Sequence, residues 1–168
     1  MDAKASRIAW EANIRVNNTA LTVVRFDPPI LHTNARDDTR LFIALSPGQA
    51  RPFGRDQEIH ILSPYPSIGV CVQYMALWSD RTRRGIYYGI HDPSGSYKMI
   101  MAQTYHDICT LGTMVPARGI GDPVNSCRMD RQLVWQLSDG DWYDATMIYR
   151  DWVFTCASWF REIPASQR

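Results

Sequence analysis

Short apolar segments separated by turn residues are the feature that most restricts what this chain can fold into. Residues 70–78, 85–91, 97–104, 108–115 and 132–137 are rich in β-branched and aromatic residues, as strands are. The polar loop 79–84 and the turn 92–96 separate the first three segments, so we predict three successive antiparallel strands there. About seven short strands in all, with no helical spacers, indicate an antiparallel β-sandwich.

The N-terminal part of the chain predicts a hairpin and one buried strand. Apolar and polar residues alternate over 7–16, which is typical of a strand with one wet face. Asn17 and Asn18 suit a tight turn, so 7–16 and 21–26 are predicted to pair as a hairpin. Residues 40–45 are predicted to form a buried strand. Residues 46–67 carry four prolines and two glycines and are predicted to be mostly irregular.

The C-terminal part predicts an amphipathic helix over 142–160. Asp141 can cap it, and Asp144 lies three residues on, where an acidic side chain favours a helix N-terminus. Apolar residues then recur at spacings of three and four. Four of them form what we call the aromatic stripe: Trp142, Tyr149, Trp152 and Trp159. Three coverings stay open for this stripe: the chain's own sheet, a further domain, or a ligand.

The composition excludes several classes of function. A net charge of +1 gives no long-range field to attract nucleic acid or anionic lipid, so neither partner is expected. No segment approaches the roughly 20 apolar residues of a membrane span, and the first residues lack an apolar signal region, so a cytoplasmic location is expected. No metal or cofactor is predicted, because the cysteines form no C-x-x-C pair and the histidines fall in separate elements.

Residues 87–95 contain the candidate binding groups. His91 and Asp92 place an imidazole beside a carboxylate at a predicted strand end, where scaffolds often display binding groups. With the nearby rings of Trp78 and Tyr88 they offer what a sugar site needs, since sugars present hydroxyls at their edges and C–H groups on their faces. The alternative is an Asx-turn at Asp92 and a surface His91. No nucleophile motif is present, and no catalytic residue is predicted.

Two segments carry a family resemblance: G-I-Y-Y-G-I-H-D-P-S-G-S-Y-K over 85–98 and G-D-W-Y-D-A-T-M-I-Y-R-D-W over 140–152. Together with Tyr65-Pro66 and 73–75, they resemble a family of large bacterial glycoside-hydrolase-like proteins. In that family a β-sandwich, similar to those of endo-α-N-acetylgalactosaminidases and galactose mutarotases, precedes a (β/α)₈ barrel. The resemblance covers about 8–160 and implies a supersandwich-like domain over 1–138, complete or truncated at its start.

On the same resemblance, 139–168 would be a linker helix leading to a barrel that the chain does not contain. Barrel glycosidases carry their catalytic carboxylates on barrel strands, so the resemblance implies an accessory, non-catalytic segment. Two alternatives remain: a free-standing carbohydrate-binding module, and a structural domain that docks a partner, or a second copy, through the aromatic stripe. Weak carbohydrate binding is expected of the accessory segment and of the carbohydrate-binding module.

Overall fold

The computed structural model of the protein describes residues 6–34, 36–45, 48–53, 58–128 and 131–160, and it is mainly β. Strands precede a C-terminal helix in the order β1 (Arg7–Trp10), β2 (Asn13–Arg15), β3 (Arg25–Phe26), β4 (Leu31–Asn34), β5 (Thr39–Leu45), β6 (Gln49–Pro52), β7 (His60–Tyr65), β8 (Val70–Ser79), β9 (Arg84–His91), β10 (Lys98–Tyr105), β11 (Ile108–Pro116), β12 (Ser126–Arg128), β13 (Gln132–Asp139) and α1 (Trp142–Cys156).

Two antiparallel sheets face each other. The six-stranded sheet has the order β1-β13-β9-β8-β5-β6. The five-stranded sheet has the order β3-β11-β10-β7, with β4 also paired to β11, and β2 and β12 form a separate two-stranded ladder. The predicted antiparallel β-sandwich with a C-terminal helix is therefore confirmed.

The inner face of the six-stranded sheet packs on the five-stranded sheet. Successive side chains of a strand point to opposite faces, so alternate residues of each strand enter this core. The buried side chains include Leu41, Ile43, Met75, Leu77, Tyr88, Ile90, Ile100, Leu111 and Leu133. This layer is largely aliphatic.

The outer face of the six-stranded sheet is covered by α1. Asp141 accepts a hydrogen bond from the Tyr143 amide and Asp144 accepts one from the Asp141 amide, which is the predicted capping arrangement. Ala145, Tyr149 and Val153 of the helix are buried against the sheet. Of the aromatic stripe, Tyr149 is thus covered by the chain's own sheet, and Trp152 is partly covered. Trp142 and Trp159, at its ends, remain 42% and 44% exposed.

The helix is shorter than predicted. It ends at Cys156, and the residue after it already has an extended backbone. The amide of Ser158 donates to the carbonyl of Pro93, so the chain turns onto the 92–96 turn instead of continuing as helix. Among the described residues, no helix has the length and apolar content that crossing a bilayer requires.

The predicted N-terminal hairpin is wrong. β1 pairs with β13, β2 with β12 and β3 with β11. Neither Asn17 nor Asn18 has the positive φ that a tight two-residue hairpin turn needs. The single strand with one wet face that alternation predicted over 7–16 is also wrong, because two short strands lie there and all four residues of β1 are exposed. Alternation carried no information about their partners.

Two further expectations were wrong. The segment 97–104 does form a strand, but β10 pairs with β7 and β11 in the other sheet, so the 92–96 turn carries the chain across the sandwich. The stretch 46–67 was expected to be irregular, yet it contains β6 and β7, while 46, 47 and 54–57 lie outside the described residues. Both strands lie at sheet edges, where proline is tolerated because no ladder donor is needed on the free side.

Candidate functional site

An open cleft lies between α1, β1 and the adjoining ends of β9 and β13. Its volume is about 1320 Å³. His91 and Arg131 contribute buried side chains to its lining, while Arg7, Glu11 and Asp151 are exposed around it. We call this space the outer cleft. Because one helix covers the outer face, the end of the sheet beside His91 stays accessible.

His91 reaches the cleft because Tyr87, Gly89 and His91 share the outer face of β9. The side chain of His91 is held on two sides. Its Nε2 lies 2.8 Å from the Tyr87 hydroxyl, and its ring stacks on Trp152 with centroids 4.6 Å apart. Glycine at 89 is required here, since a Cβ would collide with the Tyr87 ring. The absence of a side chain at Gly89 thus lets the Tyr87 ring lie along the strand toward His91.

The imidazole of His91 is neutral at physiological pH. Burial, and secondly the charge of Arg7, lower its pKa from the usual 6.5 to about 3. Its Nδ1 is buried and makes no hydrogen bond within the described part of the chain. A neutral imidazole of this kind can donate or accept one hydrogen bond but is a poor proton acceptor near neutral pH.

Asp92 lies behind His91 and organises the 92–96 turn. Its Oδ1 accepts from the amide and hydroxyl of Ser94, at 3.0 and 2.6 Å. Its Oδ2 accepts from the amide and hydroxyl of Ser96, at 3.0 and 2.7 Å. Desolvation opposes ionisation of this carboxyl, but the serine hydrogen bonds and the charge of Lys98 outweigh it and hold its pKa well below the ordinary range.

Two buried cations share that carboxylate. Lys98 Nζ is 3.0 Å from Asp92 Oδ2 and also donates to Gln73 Oε1 at 2.6 Å. Desolvation lowers the pKa of Lys98 to about 8, against the opposing effect of Asp92. Arg131 Nη1 lies 3.3 Å from the same oxygen, without hydrogen-bond geometry. We call Asp92, Lys98 and Arg131 the buried charge cluster.

The structure does not bring the four sequence-predicted binding residues together. His91 lines the cleft and Asp92 lies behind it. Tyr88 points into the inner core, where its hydroxyl lies 3.4 Å from the Pro29 carbonyl. Trp78 pairs with Gly85 at the other end of the β8–β9 hairpin and donates to Asp80.

The alternative of an Asx-turn at Asp92 is correct, since its carboxylate accepts from the Ser94 amide. The accompanying idea of a surface His91 is wrong, because this side chain is 3% exposed.

Four cleft residues were not predicted from the sequence: Arg7, Arg131, Gln132 and Gln136. The pairing of Gln132 with His91 across β13 and β9 brings two of them there, and those strands are distant in sequence.

The four residues of the aromatic stripe are also separated in the structure. Tyr149 is buried on the sheet, Trp152 lines the cleft, and Trp142 stacks on Phe42 with centroids 5.8 Å apart. Trp159 lies over the 92–96 turn, where a Cβ at Gly95 would come within 3.0 Å of its ring. Among the described residues, no group of three or more histidine, cysteine, aspartate or glutamate side chains is arranged to hold a metal ion.

The fold and the site define a β-sandwich domain with an open, aromatic and polar cleft on its outer face. The chain is 28% identical over 109 residues to a protein of Monosiga brevicollis named "Putative glycoside hydrolase 22789". The match covers 62% of this chain and 9% of that protein, which links the chain to a glycoside-hydrolase-like protein. No family model matches the chain, and no solved structure matches it significantly.

Proposed function

We propose that this sandwich is an accessory, non-catalytic domain of a glycoside-hydrolase-like protein and that its outer cleft binds saccharide. The observation that carries the proposal is the match itself, because it relates most of this chain to 9% of a protein named as a glycoside hydrolase. The matched stretch is a small part of that protein, and we assign it the binding or positioning of substrate while another part performs the reaction.

The lining of the outer cleft supports saccharide binding. Trp152 is partly exposed and offers an aromatic surface for the C–H face of a sugar ring. Gln132 and Gln136 are also partly exposed and line the same space. The side-chain Nε2 of Gln132 donates to Glu11 Oε1 at 2.6 Å, so Gln132 and Glu11 are held in place before a ligand arrives. Planar polar groups beside an aromatic ring are suited to sugar hydroxyls.

Asp92 and His91, the ionisable groups at the buried end of the cleft, support a non-catalytic role, while the carboxylates of Glu11 and Asp151 are exposed at its rim. Glycoside hydrolysis requires a carboxylic acid that protonates the leaving oxygen and a second carboxylate across the scissile bond. Asp92 is shielded and already accepts four hydrogen bonds from Ser94 and Ser96. His91 has a pKa of about 3, far below the value that suits proton transfer at neutral pH.

Titration calorimetry with neutral and acidic oligosaccharides tests the binding function. We expect saturable binding near millimolar affinity, which corresponds to about 4 kcal/mol, since an open cleft leaves much of a ligand in water. The double change Gln132→Ala and Gln136→Ala should abolish it, because both side chains line the cleft outside the core. Gln103→Ala, on the other sheet, is the matched control and should bind as the parent does.

Three results would contradict the proposal. Binding that survives the double glutamine change would place the site elsewhere, and absence of binding by every saccharide would remove the function. Turnover of an aryl glycoside by the purified chain would show that the domain carries catalytic residues. We expect no turnover.

A second candidate function, docking of a further domain, is favoured by the solvent-facing side of α1. Trp142, Tyr143 and Phe154 are 42%, 58% and 52% exposed, and exposed aromatic surface of this kind often marks an interaction site. A partner covering this side would leave the outer cleft open beside it. If a partner domain covers this side of α1, the isolated chain should self-associate, which light scattering would detect. A monomer over a wide concentration range would count against such a partner.

A further inference from the structure

Arg131 is a buried cation with unused hydrogen-bonding capacity. Its side chain is 7% exposed, and its Nε and Nη1 make no hydrogen bond within the described part of the chain. Guanidinium groups are always charged in proteins and carry five N–H donors. A buried charge is normally paired and hydrogen-bonded; Arg131 has an ion-pair partner in Asp92 at 3.3 Å but makes no hydrogen bond through these two nitrogens, so it keeps donors for a ligand.

The nearest carboxylate, Asp92, compensates the charge of Arg131 but has no free lone pair for its donors. Asp92 already accepts four hydrogen bonds from Ser94 and Ser96 and contacts Lys98 at 3.0 Å. A carboxylate has about four lone-pair sites, so those of Asp92 are occupied. The buried charge cluster therefore contains two cations and one saturated anion beside the cleft.

The distribution of charge in the outer cleft favours an anionic ligand at its inner wall. Arg7 lies close enough to His91 for its charge to lower the pKa of that residue. The two carboxylates of the cleft, Glu11 and Asp151, are exposed at its rim, and Glu11 is engaged by Gln132. Arg131 therefore places a cation with free donors at the buried wall, whereas Arg7 and the two carboxylates are exposed around the cleft.

We propose that the outer cleft selects an acidic saccharide, whose carboxylate pairs with Arg131 and Arg7 while its ring packs beside Trp152. This inference rests on the proposed saccharide-binding function and specifies its ligand. Arginine suits a carboxylate because two parallel N–H donors match its two oxygens. The unpaired nitrogens of Arg131 are shielded from solvent, so binding requires its guanidinium to turn toward the cleft.

Paired ligands that differ at one carbon, charged in one and neutral in the other, give the sharpest test. D-glucuronate and D-glucose differ by a carboxylate at one carbon, and we expect glucuronate to bind the chain at least about tenfold more tightly, as a charge-assisted bidentate contact would provide. Arg7→Gln should remove most of this preference. Because Arg7 is exposed, the variant should fold. Arg84→Gln, an exposed arginine at the opposite end of β9, is the matched control and should keep the preference.

A second variant addresses Arg131 directly. Arg131→Lys keeps the charge but loses the paired donors, so we expect a weaker preference for glucuronate with the circular-dichroism spectrum of the parent. Equal affinities for glucuronate and glucose would overturn the acidic-saccharide inference and leave the proposed function standing. Acetate binding as tightly as glucuronate would retain the carboxylate site but overturn saccharide binding. No binding by any of the three would overturn the acidic-saccharide inference, and the oligosaccharide titration then decides the proposed function.

Discussion

The two faces of the six-stranded sheet are built from the same strands but differ in chemistry. Tyr88 enters the largely aliphatic inner core, whereas its neighbour Tyr87 enters a polar and aromatic outer layer. In that layer Tyr74 lies 5.3 Å from Tyr87 and 4.9 Å from Tyr149, measured between ring centroids. The inner face is closed by a second sheet. The outer face is covered by a helix of 15 residues, about 22 Å long, which leaves the cleft open at one end.

This difference indicates that the inner face of the sheet stabilises the fold and that the outer face carries the site. The inner face supplies most of the burial that holds the sandwich together. The outer face holds groups that are costly to bury, including His91 and the buried charge cluster, at the place where a ligand has access. Measurements that separate the two faces therefore test the account.

The largest effect is expected at Asp92. Replacing it by alanine leaves the buried cations Lys98 and Arg131 without their shared carboxylate, and removing one partner from a buried ion pair costs about 3–5 kcal/mol. Chemical denaturation at pH 7 would measure this loss in the free energy of unfolding. Asp139→Ala is the control, since its pairing with Arg84 is exposed and should contribute about 0.5 kcal/mol or less. A loss below about 1 kcal/mol for Asp92→Ala would contradict the role of the cluster.

Removing Trp152 should have the next largest effect. Its ring stacks on His91 and contacts Tyr149 at centroid distances of 4.6 and 5.5 Å. Buried aromatic truncations cost about 3 kcal/mol or more, and we expect about 2–3 kcal/mol for Trp152→Ala because the ring is partly exposed. The shift of the denaturant midpoint measures it. Trp142→Ala, at the exposed end of the same helix, should lose less. Equal losses would mean that Trp152 does not anchor the helix.

Acid should destabilise the outer face through His91. The folded-state pKa of about 3 lies below the usual 6.5, so the unfolded chain binds the proton first and the free energy of unfolding falls as pH drops below about 6.5. Between pH 7 and pH 5 the expected loss is about 2 kcal/mol. His91→Gln should flatten this dependence while the other histidines stay the same. An unchanged slope in the variant would show that His91 does not stay neutral on folding.

The smallest expected effect is the difference in the free energy of unfolding between variants of the adjacent residues Tyr87 and Tyr88. Tyr87→Phe removes the hydroxyl that lies 2.8 Å from His91 Nε2 and leaves a buried nitrogen without a partner, which costs about 1–3 kcal/mol. Tyr88→Phe removes a longer contact of 3.4 Å to the Pro29 carbonyl and should cost about 0.5–1 kcal/mol. Denaturation of both variants under the same conditions gives the difference. A reversed order would contradict the assignment of the polar network to the outer face.

The sequence predicted what depends on local pattern. The strands at 40–45, 70–78, 85–91, 108–115 and 132–137 and the start and cap of α1 are as expected, because apolar periodicity and capping side chains act over a few residues. The pairing of β1 with β13 could not be predicted, since strand partners are decided by packing between residues that are distant in sequence.

The candidate site shows the same limit. Tyr87, Gly89 and His91 belong to one strand, so their common face follows from alternation. Arg131 reaches the cleft only through the β9–β13 pairing. Tyr88 and Trp78 were grouped with His91 because they are near in sequence or chemistry, although the pleat points Tyr88 to the inner face and Trp78 lies at the far end of the hairpin.

The central claim is that the open end of the outer face is a saccharide site, and amide chemical shifts measured during an oligosaccharide titration test it most directly. We predict saturable changes at 7–13, 91–93, 131–136 and 147–156, the segments that surround the outer cleft, with little change around 78–85 at the opposite end of the hairpin. Changes concentrated at that opposite end, or no saturable change with neutral or acidic oligosaccharides, would contradict the account.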